Sequence, residues 1–169
     1  MFKKILSLSL ACLLTLASLT ALSACGKDAA YKDDVPAATL LAAAVAAAPT
    51  DSGYDVGSSD ADYYQFYFNS DPAIDGYAFA FSTASSDINE IGVLHARSEA
   101  DVAAVKALAE AYLTTQKAFY ASFVNTYNAS ETEKLDAATV RVFGNYVLFF
   151  ILSGNDLSNA AKAAEGALK

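Results

Sequence analysis

The sequence predicts an α+β fold: a four-stranded antiparallel sheet made from two hairpins, with helices packed mainly on one face. Two observations predict it. Two pairs of apolar, strand-like segments are each joined by a short turn, within 77–97 and 138–152, and between them runs a segment whose apolar residues recur every three or four positions. A helix carrying such a stripe needs a surface to cover, and the hairpins supply one. The expected order is α-(α)-β-β-α-β-β-α.

Asp34 or Val35 can open a first helix with Pro36 in its first turn. Ala37 to Ala48 is alanine-rich, with Leu40, Leu41 and Val45 on one face, and Pro49 ends it. Thr50 to Asp62, rich in Gly, Ser and Asp, is expected as a loop. Tyr63 to Phe68 lacks clear alternation, so a strand and a short helix both fit. After the turn signals Asp71-Pro72 and Asp75-Gly76, Tyr77, Phe79 and Phe81 alternate with Ala78, Ala80 and Ser82, the pattern of a half-buried strand. Ala84 to Asp87 forms the loop, and Ile88, Ile91, Val93 and Leu94 mark a returning strand that ends near Arg97.

Ser98, with Asp101 three residues on, is a loose capping box. It opens the long helix, whose stripe is Val102, Val105, Leu108, Tyr112, Phe119 and Phe123 and whose end falls around Asn125 to Asn128. The second hairpin runs Ala138 to Phe143, turns at Gly144-Asn145, and returns as Tyr146 to Leu152, an apolar run suited to a central strand. Asn155 or Asp156 starts a last helix with Ala160, Ala163, Ala164 and Leu168 as its weak apolar side.

The first 24 residues have a different character. Met1 to Lys4 is basic, Ile5 to Leu22 is almost wholly apolar, and Leu22-Ser23-Ala24-Cys25-Gly26 places small residues around a cysteine. This resembles a bacterial lipoprotein signal peptide: the lysines stay on the cytoplasmic side, the apolar run enters the bilayer, and small residues admit a peptidase. The resemblance implies removal of residues 1–24 and a diacylated Cys25, with fatty chains such as palmitate, as the new N-terminus. An uncleaved anchoring helix is the alternative reading. Cys12 leaves with the signal and Cys25 is consumed by the lipid, so no thiol is left for redox chemistry. Two acyl chains anchor durably where one does not. Residues 25–35 then serve as lipidated cysteine and short tether, in which Lys27 to Asp34 spans at most about 28 Å, and 36–169 forms a single domain.

The chain holds 11 Lys plus Arg against 19 Asp plus Glu, a net charge of −8 that becomes −10 once Lys3 and Lys4 leave. Such a surface repels phosphate backbones, which disfavours nucleic-acid binding. His95 is the single histidine, and no Gly-x-Ser-x-Gly nucleophile turn accompanies it; an ordinary sheet-edge residue stands against a general base. One imidazole and no surviving thiol are too few ligands for zinc.

Between Asp33 and Ala96 there are ten acidic residues and no Lys or Arg. Asp60, Asp62, Asp71 and Asp75, with Asp51 and Asp55, are the calcium candidates, although their spacing is not that of an EF-hand loop; a solvated acidic face is the alternative. Aromatic residues are the other excess in this half. Tyr63, Tyr64 and Tyr67 are the candidates for a groove that stacks on a glycan or small solute, against an ordinary role in the core.

The segments Tyr67-Phe68-Asn69-Ser70-Asp71-Pro72, Asn89-Glu90-Ile91-Gly92-Val93-Leu94, the long helix beyond Glu99, and Gly144-Asn145-Tyr146-Val147-Leu148 resemble the bacterial lipoprotein family called domain of unknown function 4358, over Pro36 to Leu168. The resemblance implies a short helix before the first strand, hence helix for Tyr63 to Phe68. It brings no catalytic residues. It implies a small lipoprotein of a Gram-positive envelope, encoded beside membrane acyltransferases that act on envelope polymers, and so a helper role. This chain is richer in alanine, more acidic and poorer in lysine on the long helix than the family pattern. For Glu90 a functional role stands against a charge on the open face of a strand, and the second is the preferred reading.

The expected function is a non-enzymatic, lipid-anchored, extracytoplasmic module that binds an envelope protein or polymer and needs no cofactor. A glycan or small-solute receptor with an aromatic groove is the second reading. A hydrolase built from two carboxylates is the third.

Overall fold

The computed structural model describes residues 31–58 and 60–169; the expected signal, 1–24, and Cys25 lie outside the described residues. The elements are α1 (Ala37–Ala47), β1 (Tyr54–Val56), α2 (Asp60–Phe68), β2 (Ile74–Ser82), β3 (Glu90–Ala96), α3 (Val102–Tyr127), α4 (Thr132–Ala137), β4 (Thr139–Phe143), β5 (Tyr146–Ile151) and α5 (Gly154–Ala167). Both hairpins and the long helix follow the sequence pattern. Tyr63 to Phe68 is helical, as the family resemblance implied.

The sheet has five antiparallel strands in the order β1-β2-β3-β5-β4, not four. The extra strand, β1, lies inside the expected loop and pairs Tyr54–Val56 with Ala80–Ser82. Three residues among Gly, Ser and Asp carry no periodic signal; pairing with β2 makes them a strand.

Helices cover both faces of the sheet, which corrects the one-face expectation. Ala78 and Ala80, Ile91 and Val93, and Tyr146, Leu148 and Phe150 point to one side, where Leu40, Leu41 and Ala44 of α1 and Ala160, Ala161 and Ala164 of α5 close over them. Phe79, Leu94, Val147, Phe149 and Ile151 point to the other, against Phe68 of α2, Val105, Ala109, Tyr112 and Leu113 of α3, and Leu135 of α4. Strands buried on both faces read as continuous apolar runs, and β5 is buried along its whole length. Gly92 of β3 marks the tightest point, since a Cβ there would collide with the Phe149 ring.

Three local details shape the ends of these elements. Ser98 Oγ donates to the Asp101 carboxylate at 2.6 Å and accepts no backbone N–H as a cap, so the expected capping box closes on itself and α3 begins after a 3-10 turn. Gly144 alone takes a positive φ, 57°, in the β4–β5 turn, the place glycine holds in a two-residue hairpin. Residues 31–35, expected as tether, lie against the domain instead: Lys32 N–H donates to Leu168 O at 2.9 Å, Tyr31 Oη to Glu165 at 2.9 Å, and Tyr146 Oη to Val35 O at 2.7 Å.

Candidate functional site

Two polar constellations stand out, one at each end of β3. At its start, Glu90 shares the parity of Gly92 and Leu94, so its side chain enters the α2/α3 side of the core and keeps only 2% exposure. The expectation of a charge on an open face is therefore overturned. Tyr63 Oη donates to Glu90 Oε1 at 2.7 Å, and Tyr112 Oη donates to the same oxygen. Burial pushes the Glu90 carboxyl well above the usual carboxylate range, because the charged form loses water that the two phenols do not replace.

Around that acid the rings form a wall. Tyr63 contacts Tyr67, Phe79 and Phe81 at centroid distances of 4.4, 4.8 and 4.6 Å, and Tyr67 meets Tyr112 edge-on at 5.1 Å. Burial raises the Tyr120 phenol to about 12, with the charges of Glu90 and Tyr67 adding to the shift. Tyr120 then lines a groove of about 460 Å³ together with Ser85, Phe119, Ser122 and Phe123. Phe119, expected under the sheet, is 70% exposed here, and Phe66 and Tyr67 on α2 are exposed as well.

The opposite wall of the groove is held firmly. Ile88 N–H donates to Glu131 Oε2 at 3.1 Å, Lys134 Nζ bridges Asp87 and Glu131 at 2.8 and 2.7 Å, and Asn128 Nδ2 donates to Ser86 O at 2.7 Å. Burial disfavours the Lys134 charge, but the hydrogen bonds to Asp87 and Glu131 outweigh it and raise its pKa. A groove between a rigid helix and a pinned loop is preorganised for a ligand.

The sequence candidates divide. Tyr63 and Tyr67 join the wall. Tyr64 does not: it is buried, with its hydroxyl on Asp71 O at 2.5 Å, and stacks on Tyr77. Asp60, Asp62, Asp71 and Asp75 are not brought together. Asp60 Oδ1 accepts from Phe79 N–H at 3.2 Å, Asp71 Oδ1 from Ala73 N–H at 2.8 Å, and Asp75 pairs with His95, while Asp62 is exposed on α2. Among the described residues no group of three or more His, Cys, Asp or Glu is placed to hold a metal ion. Glu90, Tyr112, Tyr120 and Phe119 were missed as site residues. The signal for Glu90 was present, since it is a charged residue in phase with core positions.

At the other end of β3, His95 lies between two carboxylates, with Nδ1 2.6 Å from Asp75 Oδ1 and Nε2 3.0 Å from Asp33 Oδ1. Its ring packs on Tyr146 at 4.4 Å. Burial alone would lower its pKa, but the hydrogen bonds to Asp33 and Asp75 win and raise it. With both nitrogens engaged, His95 offers no free lone pair to a substrate in this state.

A mixed sheet-and-helix domain with an aromatic groove on α3 and a buried acid held by two tyrosines is thus the class the geometry defines. Residues 59–152, more than half of the chain and the stretch from α2 to β5, match the family described as Domain of unknown function (DUF4358), and the chain belongs to that family. No curated protein matches it, and no solved structure does.

Proposed function

We propose that this protein is a lipid-anchored, extracytoplasmic binding module of the cell envelope, held to the membrane through Cys25, and that its ligand face is the aromatic groove between α3 and the β2–β3 loop. The observation that carries the binding reading is Phe119. It belongs by spacing to the apolar stripe of α3, yet it stands 70% exposed at the rim of a groove whose other rings are Tyr120 and Phe123. A cluster of rings left at the surface beside a concavity marks an interaction site.

The lining favours a glycan as occupant. Phenylalanine and tyrosine faces stack on the apolar faces of sugar rings, Ser85 and Ser122 offer hydroxyls, and no Lys or Arg lines the groove to select an anion. Binding without catalysis is supported by the surroundings of Glu90, whose hydrogen-bond partners are phenols rather than a second carboxylate.

The chain has no tryptophan, so its emission comes from ten tyrosines, of which Tyr120 lines the groove. Titrating the protein with peptidoglycan fragments should change that emission saturably, and Phe119→Ser should weaken binding at least tenfold while leaving the melting temperature in place. Saturable binding that Phe119→Ser and Tyr67→Ala leave untouched would remove the groove from the account. The anchor has its own test: Cys25→Ala should move the protein from the membrane fraction to the soluble fraction.

A further inference from the structure

We propose that His95 is a proton-operated latch: as an imidazolium it docks Asp33 of the N-terminal segment onto the end of β3, and loss of its proton releases Asp33 and Asp34. The geometry argues for this from both nitrogens. A neutral imidazole has one N–H and one lone pair, whereas carboxylate oxygens only accept. His95 faces a carboxylate oxygen on each side, at 2.6 Å from Asp75 and 3.0 Å from Asp33, so both contacts are satisfied only when both nitrogens donate.

The side that lets go is also set by structure. Asp75 belongs to β2, between the strand residues Ile74 and Gly76 that pair with β3. Asp33 belongs to a segment with no regular structure, makes the longer contact, and is 60% exposed. A lone pair left opposite an anion therefore expels Asp33. Its remaining side-chain bond, from Asn145 Nδ2 at 3.0 Å, is a single neutral donor at the surface.

The other charges facing the imidazole push the same way. Asp33, Asp34 and Asp75, with the Tyr146 ring, line one cleft of about 280 Å³ around His95, and no Lys or Arg lines it. Removing the single positive charge leaves three carboxylates facing one another. The shift of His95 is upward from its ordinary value, so the latch is closed below the usual imidazole range and opens as pH rises through the raised value. Residues 31, 32 and 35 keep their own bonds, Tyr31 Oη to Glu165, Lys32 N–H to Leu168 O and Tyr146 Oη to Val35 O, so opening loosens Asp33 and Asp34 alone.

The test uses the full chain in detergent micelles. As the chain has one histidine, a single imidazole resonance follows the proton, and backbone amide relaxation follows the mobility of Asp33 and Asp34 between pH 6 and 9. The expected result is a titration midpoint above the ordinary imidazole value and a gain in mobility at Asp33 and Asp34 over the same interval, with β5 amides unchanged. Asp75→Asn should move both midpoints to lower pH together, and His95→Gln should leave Asp33 and Asp34 mobile at every pH. Mobility at Asp33 and Asp34 that stays constant from pH 6 to 9, or an imidazole that titrates at or below its ordinary value, overturns the latch. Should His95→Gln fail to fold, the β5 amides show it, and Asp75→Asn, whose carboxylate is largely at the surface, decides.

Discussion

At one end of β3, Glu90 sits behind aromatic rings; at the other, five residues on, His95 stands in a cleft of carboxylates. Both hold a proton more tightly than they would in an unfolded chain, and they do so for opposite reasons. Burial strips water from Glu90 and so penalises its charge, whereas Asp33 and Asp75 supply His95 with counter-charges that stabilise its own. The difference teaches that a shared direction of shift conceals two kinds of site. The Glu90 end is dry, rigid and suited to holding shape, and the His95 end is wet and responsive.

The comparison breaks most severely when the shared support between the ends is removed. Phe149 fills the space above Gly92 and touches Tyr112 at 4.9 Å and Phe79 at 6.1 Å, so Phe149→Ala should cost about 3–5 kcal/mol in denaturant unfolding. Next comes the acid itself. Glu90→Ala leaves two phenols without their acceptor and opens a cavity, with an expected loss of about 2–4 kcal/mol.

Glu90→Gln keeps the shape and isolates the proton. The folded state holds the Glu90 proton after the unfolded chain has released it, so stability falls as pH rises from the ordinary carboxylate range to the raised value, by at most about 1.4 kcal/mol per pH unit. In Glu90→Gln that slope should vanish from pH-dependent unfolding curves. The fall above the ordinary imidazole range, which belongs to His95, should remain.

Smaller effects sharpen the contrast. Asp75→Asn should cost under about 1 kcal/mol at pH 6, where the imidazolium is paired, and almost nothing at pH 9; the Asp75 carboxylate is 42% exposed, so 0.5 M salt should shrink even that. The smallest change should follow Phe119→Ser, within about 0.5 kcal/mol in the same unfolding assay, because its ring is already in water. A large loss of stability there would make Phe119 a packing residue and not a ligand contact.

Much of the fold was legible because α3 and the two hairpins carry periodicity over many residues. Burial on both faces was also legible in principle: the unbroken run Tyr146 to Ile151 is that of a strand with no solvent side. It was obscured by α1 and α5, whose alanine faces give a weak amphipathic signal although Ala44, Ala160 and Ala164 are fully buried. β1 was hidden because a three-residue strand takes its conformation from its neighbour. At the site, Tyr63 and Tyr67 were found by composition, but Tyr64 looks the same in sequence and only the turn of α2 separates them. The pairing of His95 with Asp33 joins residues 62 apart in the chain, beyond the reach of any local pattern.

Asp60, singled out as a calcium candidate, has a structural task with a wider consequence. Beyond Val56 the ladder from β1 to β2 stops, and Phe79 is where a bare strand edge would begin; there the Asp60 carboxylate takes the Phe79 N–H and the Gly57 amide takes the Phe79 carbonyl. A side chain and one amide thus mimic the next residue of a strand. An uncapped border of this kind is a template on which other chains can add, the first step towards aggregation. If copies are tethered to one membrane as proposed, they meet often, and one aspartate would help to keep neighbouring sheets from joining.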